Sequence, residues 1–229
     1  VKTLDRQVLA AAMHASTTAI WEELATHPRV RRPPRLDAAT VENLLRYLDV
    51  LLLWRDKTSL VSTSDPLELV NRHIADCLAL LPFIGPGSRL ADLGSGAGLP
   101  GLVLAIAAPD LSVLLVEPRR KRVNFLLEAV RATAATNCRV VPLRADKVAE
   151  ADASDIDVVV SRAFGPLDSF LAASAHLLPA TAKGRLIAMK GPKGPEEALA
   201  LGGKPPIASD AHYQLCDGTP RVLLIYDQF

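Results

Sequence analysis

The sequence predicts an α/β protein built on a Rossmann-like, mostly parallel sheet, with an antiparallel hairpin at its C-terminal end and helices before it. Three observations carry this prediction. From Pro82 onward, short apolar runs separated by glycine and proline alternate with helical patterns; a glycine cluster directly follows the first of those runs; and two strand-like runs flank Asp217-Gly218-Thr219-Pro220 near the end. The chain has 229 residues, 49% of them apolar, enough to bury the core of one such domain.

The first eighty residues read as helices. Leu4 to about Glu23 is helix-favouring, with a modest apolar face through Val8, Leu9, Ala12, Ile20 and Leu24. The basic, proline-broken stretch from Arg29 to Arg35 reads as a connector, either solvated or touching phosphates. A second helix starts at Asp37 or Thr40 and carries Val41, Leu44, Leu45, Leu48, Leu51 and Leu52 at helical spacing toward Trp54. Ser64 or Asp65 caps a third, predicted over Pro66 to Leu81, with proline suited to its first position.

Strands follow at Arg89 to Asp92, Ser112 to Val116, Arg139 to Leu143, Val158 to Arg162 and Arg185 to Met189. Helices are predicted near Pro100 to Ala107, Arg120 to Ala135 and Asp168 to Leu178, with weaker potential around Glu196 to Leu201. The hairpin pairs Tyr213 to Cys216 with Val222 to Tyr226. The change of pattern divides the chain into a helical extension over 1–83, packed on the core, and a Rossmann-like domain over 84–229.

Bulk properties exclude several classes. Twenty-six basic residues balance 25 acidic ones, so no global charge marks a nucleic-acid or membrane binder and any charged surface is local. Cys77, Cys138 and Cys216 form no CxxC pair, which argues against a zinc site and a disulfide framework and fits a reducing cytoplasm. No signal-peptide core or bilayer-length apolar run is present, so no membrane partner is expected.

The strongest local signal is Asp92-Leu93-Gly94-Ser95-Gly96-Ala97-Gly98-Leu99-Pro100-Gly101, between a strand and a helix. Gly94, Gly96 and Gly98 let the backbone turn tightly and approach a ligand. Gly96, Gly98 and Gly101 also satisfy the dinucleotide pattern GxGxxG, so a nicotinamide cofactor competes with S-adenosylmethionine. Asp92 is the expected discriminator: a carboxylate there repels a pyrophosphate and favours the cationic methyl donor, directly or through water. At the end of the second strand, Glu117 is placed to accept both ribose hydroxyls of either cofactor, or to pair with Arg119 or Lys121. After the third strand, a backbone group near Ala145 and the Asp146 side chain are placed to meet adenine, with helix capping as the alternative for Asp146. Arg162, at the end of the fourth strand, lies where ligands sit in such sheets.

These residues resemble the RsmG (GidB) family of 16S rRNA guanine-N7 methyltransferases. The resemblance rests on the loop with its Gly-Leu-Pro-Gly ending, Arg72-His73-Ile74-Ala75-Asp76, Lys121-Arg122-Val123 followed by Phe125-Leu126, Ser161-Arg162-Ala163-Phe164, and Lys190-Gly191. It implies a class I methyltransferase fold and transfer of a methyl group from S-adenosylmethionine to guanine N7. It also implies cofactor contacts at Gly94, Leu99, Glu117, Ala145, Asp146 and Arg162. Thr58-Ser59-Leu60-Val61-Ser62 departs from the family's Asn-Leu-Thr run, so local substrate contacts there are not carried over.

Guanine N7 has an in-plane lone pair and no proton, so the reaction needs positioning and no general base. Arg72, His73 and Lys190 are the candidates for positioning the guanine, with Asp76 three residues after His73 to hold its ring. Arg119, Arg120, Lys121, Arg122 and Lys193 are candidate RNA contacts, provided folding gathers them into one rim; a solvated helix start is the alternative for 119–122. The expected partner is 16S rRNA or a small-subunit assembly intermediate, met by a cytoplasmic monomer without a metal. A small-molecule methyltransferase, an NAD(P)-dependent oxidoreductase and a non-catalytic adenosyl-ligand sensor are the competing readings.

Overall fold

A computed structural model describes residues 5–55, 57–148, 155–178, 184–202 and 205–227. Helix α1 (Arg6–Leu24) begins where Asp5 accepts the Gln7 N–H, and α2 (Ala38–Trp54) where Asp37 accepts the Thr40 N–H. The periodicity starts the first helix at Leu4, which lies outside the described residues. Leu9, Ile20 and Leu24 are buried as expected, but Val8 is exposed, and Met13, Ser16 and Thr17 complete the buried stripe.

The third helical segment is not a single α-helix. After α3 (Pro66–Glu68), capped by Asp65, the chain widens into a π-helical stretch over Leu69–Ile74 before returning to α4 (Ala75–Leu78). A π turn takes one more residue than an α turn, so it rotates the next turn of the helix away from simple α spacing. That stretch carries Arg72 and His73.

Among the described residues the sheet has seven strands in the order β3-β2-β1-β4-β5-β7-β6. Strands β1 (Arg89–Leu93), β2 (Ser112–Val116), β3 (Cys138–Val141), β4 (Val158–Arg162) and β5 (Arg185–Lys190) run parallel. Strand β7 (Pro220–Asp227) pairs antiparallel with both β5 and β6 (Ser209–Gln214), which gives the predicted hairpin longer arms than its apolar runs suggest. Helices α5 (Gly101–Ala107), α6 (Arg120–Ala132), α7 (Leu167–Ser174) and α8 (Gly194–Ala200) connect them.

Alternation along the strands builds a core on each face of the sheet. Val113 and Leu115 of β2 pack with α2, α5 and α6 through Leu44, Leu48, Leu102 and Phe125. Leu114 and Val116 pack on the opposite face with Phe170 and Leu171 of α7. The N-terminal helices thus share a core with the sheet. Strand order reverses direction between β1 and β4, and in open α/β sheets the crevice at the carboxyl ends of such strands receives the ligand. Among the described residues no helix is long and apolar enough to cross a membrane.

Candidate active site

Two adjoining cavities, of about 520 and 600 Å³, open at that edge and share Gly94, Arg122 and Ala163 in their walls. The inner one is lined by Glu117, Arg119, Arg144, Ala145, Asp146 and Phe164. The outer one is lined by the glycine loop, Leu99, His73, Arg162, Lys190 and Arg221.

The loop is held by its neighbours. Gly94 and Ser95 donate to the Val116 carbonyl at 2.9 and 3.0 Å, and the Tyr47 hydroxyl of α2 donates to the Ala97 carbonyl at 2.7 Å. Gly94 sits at φ +71°, a conformation only glycine adopts without strain, and its exposed face lines both cavities. Gly98 serves a different end from the one expected: a Cβ there would lie 2.8 Å from that of Leu102, so it lets the loop pack on α5, and it lines neither cavity.

Asp92 also requires correction. Its side chain is fully buried beneath the loop, where Oδ2 accepts the Gly101 N–H at 3.0 Å, and it lines neither cavity. Burial pushes its carboxyl up to about 7, against the pull of the Gly101 N–H and Ser95, with Glu117 adding to the rise. A sequestered group whose burial favours the neutral form does not by itself select a cationic ligand. Its Oδ1 is nevertheless a buried acceptor without a hydrogen-bond partner among the described residues.

Glu117, unlike Asp92, does face the inner cavity. It is 2% exposed, accepting the Gly96 N–H at 3.0 Å and the Arg119 N–H at 2.8 Å, with the Arg122 guanidinium 3.8 Å away. Each oxygen has capacity for a further donor. Ala145 and Asp146 lie on the same wall in a short 3₁₀ turn, where Asp146 is partly engaged by Arg144 at 2.9 Å and Lys147 at 3.8 Å.

Arg162 reaches the outer cavity from the end of β4, followed by Ala163 at φ +59°, a strained position for a residue with a Cβ. Its Nε donates to Asp76 Oδ2 at 3.0 Å, and its Nη2 to the Arg72 carbonyl at 3.3 Å and His73 Nδ1 at 2.9 Å. Asp76 is wholly buried, and it also accepts from Arg221 at 2.8 and 3.1 Å and from the Tyr213 hydroxyl at 2.6 Å. Asp76 therefore does not hold the His73 ring as the spacing suggests; Arg162 does. Burial, then the Arg162 charge, lowers His73 to about 4, so its ring is neutral at physiological pH.

The remaining candidates separate. Arg72 turns away from the cleft to pair with Glu68 and Asp217, at 3.4 and 3.2 Å, and lines neither cavity. Lys190 lines the outer cavity, but its ammonium is held by Glu197 at 2.7 Å and the Gly165 carbonyl at 2.8 Å. Of the basic run, Arg119 and Arg122 reach the cleft, whereas Arg120, Lys121 and Lys193 are exposed and line neither cavity. Sequence reasoning misses Arg221, which arrives from β7, and the wall made by Leu60, Val61 and Ser62, within the very segment that departs from the family pattern. Among the described residues no cluster suited to a metal ion occurs.

Residues 40–216 match the family model described as rRNA small subunit methyltransferase G. The chain belongs to the GidB family. It is 45% identical over 166 residues to the ribosomal RNA small subunit methyltransferase G proteins of Xanthomonas axonopodis pv. citri (strain 306) and Stenotrophomonas maltophilia (strain R551-3), covering 72% of this chain and 76% of each relative. Among solved structures it resembles the B. subtilis tRNA methyltransferase TrmK (TM-score 0.54, 15% identity, 69% of this chain and 66% of that one). It also resembles the 16S rRNA (adenine(1408)-N(1))-methyltransferase from Catenulisporales acidiphilia (TM-score 0.52, 18% identity, 62% and 85%). These two likenesses establish the Rossmann-like methyltransferase fold. GidB membership sets aside the oxidoreductase reading that the GxGxxG spacing left open.

The residues present fit the methyl donor on structural grounds. A buried carboxylate at the end of β2 faces a cavity large enough for a nucleoside, and the backbone of Gly94 is bare between that cavity and the outer one.

Proposed function

We propose that this chain transfers the methyl group of S-adenosylmethionine to N7 of a guanosine in 16S rRNA, free or in a small-subunit assembly intermediate, as a cytoplasmic monomer. Residues 1–83 are then a helical extension packed on the core of the catalytic domain over 84–229. The observation carrying this reading is the chemistry of the outer cavity. Among the described residues, Arg122, Arg162, Lys190, Arg221 and His73 line it and no carboxylate does, which suits a phosphate-bearing substrate, and the lone pair of His73 Nδ1 is taken up by Arg162 Nη2 at 2.9 Å.

Glu117 holds the donor's ribose, Ala145 and Asp146 its adenine, and Gly94, Gly96 and Leu99 its midsection. Arg162, whose Nε and Nη2 are spent on Asp76, Arg72 and His73, offers it Nη1, which has no hydrogen-bond partner among the described residues. When bound, the donor supplies a methyl group activated by a sulfonium. The chain's own task is to align the nucleophile: the wall of Leu60, Val61 and Met189 excludes water from an unstacked base, while Arg122 and Arg221 offer charge for its phosphates. An aligned lone pair on N7 replaces a bimolecular encounter with an oriented one, worth on the order of 10 kcal/mol at best.

The test is methyl transfer from radiolabelled donor to 16S rRNA or small subunits lacking the native modification, followed by nucleoside analysis. 7-Methylguanosine is expected; label on another atom, or on small molecules only, overturns the reading. Sedimentation of the purified chain tests the monomer.

A further inference from the structure

The hydrogen bond between Arg162 and His73 fixes more than a side-chain position. A guanidinium donates and never accepts, so at 2.9 Å from Arg162 Nη2 the Nδ1 atom of His73 must present its lone pair. A neutral imidazole carries one proton, and with Nδ1 accepting, that proton resides on Nε2. Nε2–H has no hydrogen-bond partner among the described residues, and the half-buried ring forms part of the outer cavity wall beside Gly94, Met189 and Leu60. The tautomer is held from behind: Arg162 is itself locked by the buried Asp76 carboxylate, which Arg221 and Tyr213 also grip.

Among the described residues the cavity wall therefore contains, beside several cations and the rotatable hydroxyl of Ser62, an uncharged ring donor whose direction is fixed, since the Ser95 hydroxyl is spent on the Asp92 carbonyl. The cations suit phosphates; a neutral N–H suits a carbonyl. On the edge of guanine that carries N7, the neighbouring acceptor is O6, whereas adenine shows an amino group at the same place. A donor facing O6 pairs with guanine and meets another donor in adenine.

We propose that His73 is the specificity-determining residue of this site, reading O6 of the target guanine through Nε2–H while Arg162 holds its tautomer. The inference rests on the N7-guanine reading above and adds the atom that recognises the base. It also assigns His73 no part in proton removal, since its basic nitrogen is already occupied.

The experiment pairs one protein atom with one substrate atom. Ligated 16S rRNA carrying guanosine, inosine or 2-aminopurine riboside at the modified position is offered to the full chain and to its His73→Ala and His73→Gln variants. Inosine keeps O6 and N7; 2-aminopurine keeps N7 and lacks O6. The wild-type chain is expected to use inosine about as well as guanosine and to lose on the order of 30-fold in kcat/KM on 2-aminopurine, the scale of a buried polar group left unpaired. His73→Ala should lose a similar factor on guanosine and little on 2-aminopurine, so that the gap between the two substrates collapses. His73→Gln, whose amide N–H can stand in for Nε2–H, should restore part of the gap, and donor affinity by calorimetry should stay within about threefold across the set. An equal loss on both substrates in His73→Ala would show a merely structural residue and overturn the proposal. A wild-type chain that forms no 7-methylguanosine on the guanosine RNA overturns the underlying function instead, so the two failures are separable.

Discussion

Replacing Asp92 by asparagine isolates the cost of a carboxyl group placed under the cofactor loop. The folded chain raises this group from 3.8 to about 7, chiefly by burial. Below pH 3.8 both folded and unfolded chains keep the proton and the group is silent. Between 3.8 and 7 the unfolded chain releases it while the folded chain retains it, so stability falls as pH rises, by up to ~1.4 kcal/mol per pH unit. By about pH 8 the accumulated loss is on the order of 4 kcal/mol, a large share of the stability of an ordinary domain. Asparagine does not titrate, and its carbonyl can still accept the Gly101 N–H that Oδ2 accepts at 3.0 Å. Urea unfolding of both proteins from about pH 5 to about pH 8.5 is the assay, with the difference between them as the readout because all other titrating groups cancel. The wild-type chain should lose on the order of 3 kcal/mol relative to Asp92→Asn across that range. Parallel profiles would show that the carboxyl is ionised throughout, and the account of its burial would fall.

Other sites give sharper or simpler outcomes. Asp76→Ala leaves two guanidiniums and the Tyr213 hydroxyl without their shared acceptor, so a loss of about 3–5 kcal/mol in urea unfolding is expected, and a loss below about 1 kcal/mol would contradict the network. Gly101→Ala would place a methyl group 2.5 Å from the Leu115 side chain and 2.7 Å from that of Asp92; overpacking of this kind costs roughly 1–3 kcal/mol, to be read from the thermal midpoint. Glu117→Gln removes the charged acceptor facing the inner cavity, and calorimetry should find S-adenosylmethionine affinity reduced about tenfold or more, while unaltered affinity would remove Glu117 from the ribose site. Arg162→Ala should weaken donor binding or turnover, and unchanged kinetics would contradict its place in the site.

The architecture and the ends of the strands are legible in the chain alone. Strand and helix periodicities arise from local backbone geometry, so β2 and β4 are found where their apolar runs lie, and the acidic Glu117 and basic Arg162 follow those strands into the cleft. The glycine loop is legible for the same reason: its conformation is a short-range property. Which side chains meet is a matter of long-range packing. Asp76 and Arg221 are 145 residues apart and no local pattern pairs them, yet one buried carboxylate needs both guanidiniums once water is removed. The π-helical stretch over Leu69–Ile74 breaks the spacing that would have placed Asp76 behind His73. Asp92 and Gly98, read from the chain as ligand contacts, are claimed by packing against Gly101 and Leu102, because a glycine loop must seat itself on the following helix before it can hold anything.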